Sequence, residues 1–179
     1  MKRILIAGVL AGIAMFVWES VAHMVLPFGE MGLSSLPNDE AMRAALAAQL
    51  GNADGLFVYP TIQMDQTPSP GPWGLLLYHP HWSFSWAVLG WEALVELVMG
   101  LGLAWLIALA GAATFGRRMA IAALVGVAAA VAVSPSYTIW FGFPAAYTAG
   151  QMIVAFVDYL VGGAVIAWLV KPRPAAETV

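Results

Sequence analysis

The chain has 179 residues, enough for one domain of ordinary size, yet 61% are hydrophobic and only 9% are charged. A soluble domain carries about 25% charged residues, and one with so few could not cover its surface. The net charge of -3 with no basic tract argues against nucleic acid as a partner, and the absence of cysteine excludes disulfides, thiolate metal sites and a cysteine nucleophile.

A membrane-spanning helix needs about 20 mostly apolar residues. Four stretches meet that requirement, at about 4–26, 84–110, 119–140 and 147–170. The first ends before Pro27, the third contains Pro135, and the fourth stops at Lys171-Pro172. Gly126, Ala128, Ala129, Ala130, Gly162, Gly163 and Ala164 make spans three and four rich in small residues, which favour close helix packing in lipid. The expected fold is therefore an all-α integral membrane protein, a four-helix transmembrane bundle with a small α/β-hairpin insertion between spans one and two.

Basic residues give a direction. Lys2 and Arg3 precede span one, Arg117 and Arg118 lie between spans two and three, and Lys171 and Arg173 follow span four. Only Arg43 falls on the opposite side, so the positive-inside rule puts both termini in the cytoplasm. A basic start, the apolar run Ile4 to Val17 and Ser20-Val21-Ala22 also fit a cleaved signal peptide over residues 1–22. The apolar run continues to Leu26, which favours a retained span.

The segment 27–83 would then face outward. Asn38, or Ser35, can cap a short helix that places Asp39 and Glu40 in its first turn and stops at Gly51-Asn52. Met42, Leu46 and Leu50 give that helix one narrow apolar face. Gly55 to Pro60 and Gly74 to Pro80 are apolar runs bounded by Gly and Pro, and they read as two strands. The Pro-rich link Gln66 to Pro72 is a stiff loop, so a hairpin resting on the outer face of the bundle is expected.

Several residues do not belong in lipid. Span one carries Glu19 and His23, span two Glu92 and Glu96, and span four Gln151 and Asp158. An acid at a helix centre costs about 2.5–3.5 kcal/mol on insertion scales, so such groups face the bundle interior and often mark function. The pairs recur at i, i+4 or i, i+7, which puts each pair on one face of its helix. Ser134 and Thr138 add a polar seam around Pro135. The expectation is an acidic funnel with His23 at its mouth, Glu19 and Glu92 below, and Glu96 and Asp158 at the floor.

Carboxylates plus imidazole suit a hard or borderline divalent metal, with Glu19, His23, Glu92, Glu96 and Asp158 as candidate ligands. The spacing is i, i+4, not the i, i+3 of bundle di-iron sites. The same acids suit proton or cation movement. Haem is disfavoured, because His23 is the one span histidine and its axial partner would have to be His79 or His81. The structural alternative is a non-catalytic accessory or assembly subunit, in which the acids bond to Ser134, Thr138, Gln151 or a tryptophan N–H and only hold the bundle together. No phosphate loop, nucleophile elbow or His-Glu-x-x-His motif points to an enzyme. Expected partners are the lipid bilayer and a second copy or another membrane subunit. Trp18-Glu19-x-x-x-His23 and Trp91-Glu92-x-x-x-Glu96 look alike, but over too few positions to argue a repeat.

Short segments spread over most of the chain resemble a group of small four-span bacterial membrane proteins of unknown function. They are Trp18-x-x-x-x-His23-x-x-Leu26-Pro27-x-Gly29-Glu30-x-Gly32, Leu36-Pro37, Tyr78-His79-Pro80 and Trp140-Phe141-Gly142-Phe143-Pro144. The resemblance implies a four-span inner-membrane protein and no particular activity. It adds Glu30 and the region around Trp140 to the positions worth testing.

Overall fold

The computed structural model describes residues 1–61 and 71–170. Four of its helices are long and apolar enough to cross a membrane: α1 (Lys2–Met24), α3 (Trp86–Leu109), α4 (Phe115–Phe141) and α5 (Ala145–Leu169). Between α1 and α3 come α2 (Asp39–Leu50) and the strands β1 (Gly55–Tyr59) and β2 (Gly74–Tyr78). The chain forms two compact units, one of Met1–Leu33 with the helices from Ser85 onward, the other of Ser34–Phe84.

The span limits differ from expectation by one to four residues. α1 stops at Met24 because Pro27 opens a short 3₁₀ turn, Pro27–Glu30, with Leu26 as its extended cap. α4 begins four residues early, at Phe115, because the Thr114 side chain accepts from the Arg117 N–H and supplies a cap. It continues unbroken through Pro135, and Gly142, at φ 67°, ends it in the left-handed region that glycine favours.

In the helical unit, α1 packs against both α3 and α5, and α5 packs against α4, while α3 meets α4 and α5 far less. The neighbours run antiparallel, as Gly12 against Glu96 and Leu97, Met15 against Gly162, and Gly126 against Phe156 and Tyr159 show. Small residues set the spacing. A Cβ on Gly12 would lie 2.7 Å from both the Glu96 carbonyl oxygen and Leu97 Cα, and one on Gly8 would lie 2.9 Å from Leu101 Cα. On the facing helix, a Cβ on Gly100 would lie 2.6 Å from the Gly8 carbonyl oxygen. Gly8 and Gly12 thus form a Gly-x-x-x-Gly surface, which lets backbones touch where lipid offers no hydrophobic drive. Gly126 packs on Phe156, and Gly163 on Ala122, which is the close packing expected between the last two spans. The buried apolar centre is Ala7, Ala11, Leu103, Ala104, Ile107, Ala122 and Ile166.

Arg118 closes the end of this unit that carries Met1. It is only 3% exposed, and its guanidinium donates to the carbonyls of Ala112 (2.8 Å), Ala167 (3.1 Å) and Val170. A cation there satisfies the orphan carbonyls at the end of α5 and faces the negative end of that helix.

In the second unit the Asn38 side chain accepts from the Ala41 N–H at 2.9 Å, and Gly51, at φ 54°, ends α2. The strands pair antiparallel with Gly55 opposite Tyr78 and Tyr59 opposite Gly74, as the two apolar runs required. Tyr78 Oη donates to the Gly51 carbonyl at 3.2 Å, and His79 Nδ1 lies 2.9 Å from Asp54 Oδ1, so the hairpin is tied to the end of α2. Residues 62–70, most of the Pro-rich link, lie outside the described residues, as do Lys171 and Arg173.

Candidate functional site

The acids sit where α1, α3 and α5 meet, on the His23 side of mid-height. At about 1.5 Å per residue, Glu19 is about 8 Å inward from the end of α1, Glu92 about 9 Å and Glu96 about 15 Å from the start of α3, and Asp158 about 20 Å from the start of α5. The i, i+4 spacing turns Glu92 and Glu96 to the same side of α3, and the Gly12 contact draws the Glu96 turn against α1.

One carboxylate oxygen from each of Glu19, Glu92 and Glu96 lies within 4.8 Å of the other two. Burial rises along the series: Glu92 is exposed, Glu19 half-buried, Glu96 2% exposed and Asp158 1% exposed. The carboxyl groups of Glu96 and Asp158 approach each other. Yet Glu96 Oε2 and both oxygens of Asp158 are buried with no hydrogen-bond donor. Two ionised carboxylates are both acceptors, so the pair bonds only when one of them carries a proton or a cation bridges them.

His23 joins from the rim. Its Nδ1 lies 2.9 Å from Glu19 Oε2 and 3.1 Å from the Glu19 carbonyl, and since both partners are oxygens Nδ1 carries the hydrogen. Gly29 lets the 3₁₀ turn fold back onto His23, as a Cβ there would lie 2.9 Å from His23 Cα. Phe16, Glu19, Ser20, His23, Met24, Leu89 and Glu92 line a cleft of about 240 Å³ between α1 and α3. Glu19, His23 and Glu92 line this cleft, while Glu96 and Asp158 are buried and are not among its lining residues.

The polar seam is a separate feature. Ser134, Thr138 and Gln151 are half-buried, and among the described residues none of them bonds an acid. The Thr138 hydroxyl pairs with that of Thr148, joining α4 to α5. The Trp18 indole N–H donates to the Val154 carbonyl at 3.0 Å, joining α1 to α5. Of the donors that the structural alternative assigned to the acids, Thr138 and the Trp18 N–H are thus engaged elsewhere.

Of the other positions, Glu30 and His81 are exposed, and His79 belongs with Asp54 in the hairpin unit. Trp140 is exposed beside a cluster in which Phe143 stacks at 5.3 Å from Tyr137 and 5.4 Å from Tyr147, centroid to centroid. The Trp-Glu pattern shared by α1 and α3 has no structural counterpart, since Trp18 is bonded to α5 while Trp91 is 69% exposed. Thr148 and Arg118 escaped sequence reasoning as packing groups. A buried threonine has no distinctive signal, and Arg118 was legible only as a topology charge.

The fold and site together define a helical chain with four helices of membrane-crossing length and a carboxyl cluster between three of them. Comparison with protein-family models, with curated proteins and with solved structures finds no match to this chain.

Proposed function

We propose that the chain is a multi-pass protein of a bacterial cytoplasmic membrane whose carboxyl cluster takes up a cation or a proton from the extracytoplasmic side. Lys2, Arg3, Arg117 and Arg118 lie at one end of the helices and His23 at the other, so the positive-inside rule turns the cleft outward. The observation that carries the reading is the meeting of Glu96 and Asp158 in the interior without a donor. Unpaired acceptors are costly in a low dielectric, and acids in a membrane helix face one another for a purpose that includes a positive charge. A proton or cation between them satisfies both groups, and Glu19, Glu92 and His23 form a polar approach to it.

A ligand that binds only the folded state raises its stability, by about 2.7 kcal/mol at a hundred times the dissociation constant. Thermal unfolding of the full-length protein in mild detergent, across a panel of cations and of pH, is therefore informative. The expected result is a midpoint that rises with the concentration of a cation, or rises as pH is lowered, in the wild type and not in Glu96→Gln/Asp158→Asn. A double variant that tracks the wild type at every condition would return the acids to a structural role in an accessory subunit.

A further inference from the structure

We infer that the cluster is a site for a hard divalent cation of the Mn²⁺, Ca²⁺ and Mg²⁺ class, with Glu19, Glu92 and Glu96 as direct ligands and His23 as the residue that positions Glu19. This rests on the cation-binding reading of the same acids and narrows it to a metal ion with assigned ligands.

Three features of the geometry carry it. The first is the trio itself, whose oxygens all lie within 4.8 Å of one another. Ligands on opposite sides of a Ca²⁺ ion stand about 5 Å apart, so these three oxygens lie within the span that one such ion can bridge. The second is Glu96 Oε2, which is buried and has no hydrogen-bond partner. Asp158, donorless on both oxygens, stands behind Glu96 and adds negative charge to the floor of the site. The third is the 2.9 Å contact between His23 Nδ1 and Glu19 Oε2, which holds the Glu19 carboxylate in place beside the other two. Such outer partners orient metal ligands and are worth about 10–100-fold in affinity.

The donor set chooses the class of ion. It is carboxylate oxygen throughout, the chain has no cysteine, and the nearest imidazole spends Nδ1 on Glu19. Oxygen sites of this kind suit Mg²⁺, Ca²⁺ and Mn²⁺, while soft thiolate ligands select other metals. The cleft supplies the way in. Its walls carry Glu19, His23 and Glu92, and its 240 Å³ holds several waters, so an ion can arrive partly hydrated and exchange water for carboxylate.

The test is Mn²⁺ titration of the full-length detergent-solubilised protein, with the free-ion signal followed by electron paramagnetic resonance. One equivalent of Mn²⁺ should bind and be displaced by Ca²⁺ or Mg²⁺ but not by Na⁺ at the same concentration. Glu92→Gln alters an exposed side chain that the fold does not need, and it should weaken Mn²⁺ at least tenfold, as should His23→Ala. Glu40→Gln, on α2, should bind as the wild type does. Full free-ion signal in the wild type, or a Glu92→Gln variant that binds Mn²⁺ unchanged, overturns the inference. A parallel arm separates that failure from failure of the broader reading: mass spectrometry after a hydrophobic carbodiimide, which modifies protonated carboxyls. Labelling of Glu96 or Asp158 without Mn²⁺ binding overturns the metal and leaves a proton site. Neither Mn²⁺ binding nor labelling overturns both.

Discussion

At Gly12 a single missing Cβ sets the distance between α1 and α3, and with it the position of Glu96. The nearest atoms to an added methyl are backbone, the Glu96 carbonyl oxygen and Leu97 Cα at 2.7 Å, so no side chain can swing aside. Gly12→Ala should therefore destabilise by about 1–3 kcal/mol, the range for overpacking a close contact. Gly102 lies on α3 with nothing within 4 Å of an added Cβ, and Gly102→Ala should carry no such penalty. Thermal midpoints of the two variants in one detergent check this directly. At this scale the acids were the easiest residues to find, because Glu19, Glu92, Glu96 and Asp158 interrupt apolar runs and their spacing assigns a face. Gly8 and Gly12 stand one turn apart in the sequence, but which helix they face is decided by packing. Thr148 was not legible, since its role depends on meeting Thr138 across a turn.

Among the elements, α2 and the two strands were legible to within a residue or two, while the turn Pro27–Glu30 was not. Asn38 caps α2, Gly51 ends it, and β1 and β2 occupy the two runs bounded by Gly and Pro. Local chemistry decides such features, so one sequence suffices. The long helices were legible in number and place, while their ends moved with local caps such as Thr114. Arg118 shows how tertiary contact adds to a local reading: a residue that sets topology also ties the start of α4 to the end of α5. Arg118→Met keeps the bulk and removes the donors to three carbonyls. The expected cost is about 1–3 kcal/mol, the penalty for acceptors left without partners. It should appear as faster hydrogen exchange in the last turn of α5, with α2 unaffected. Exchange unchanged at the end of α5 would mean that water serves those carbonyls as well as Arg118 does.

For the whole molecule, the order of helix packing was the part that composition hid. Helices apolar on every side carry no strong preference for one face, and small residues on several of them offered more than one pairing. The answer places α1 between α3 and α5, and this juxtaposition gathers Glu19, Glu92, Glu96 and Asp158 from three helices into one place. The central claim is that a positive charge enters this cluster and is held between its carboxyls. Infrared difference spectroscopy reads carboxyl groups themselves, whether they gain a proton or a metal ion. The measurement is the change in the carboxyl and carboxylate bands when pH or Mn²⁺ is stepped, in the wild type and in Glu96→Gln/Asp158→Asn. The account expects a band change in the wild type that the double variant lacks. Identical difference spectra from the two proteins would contradict it.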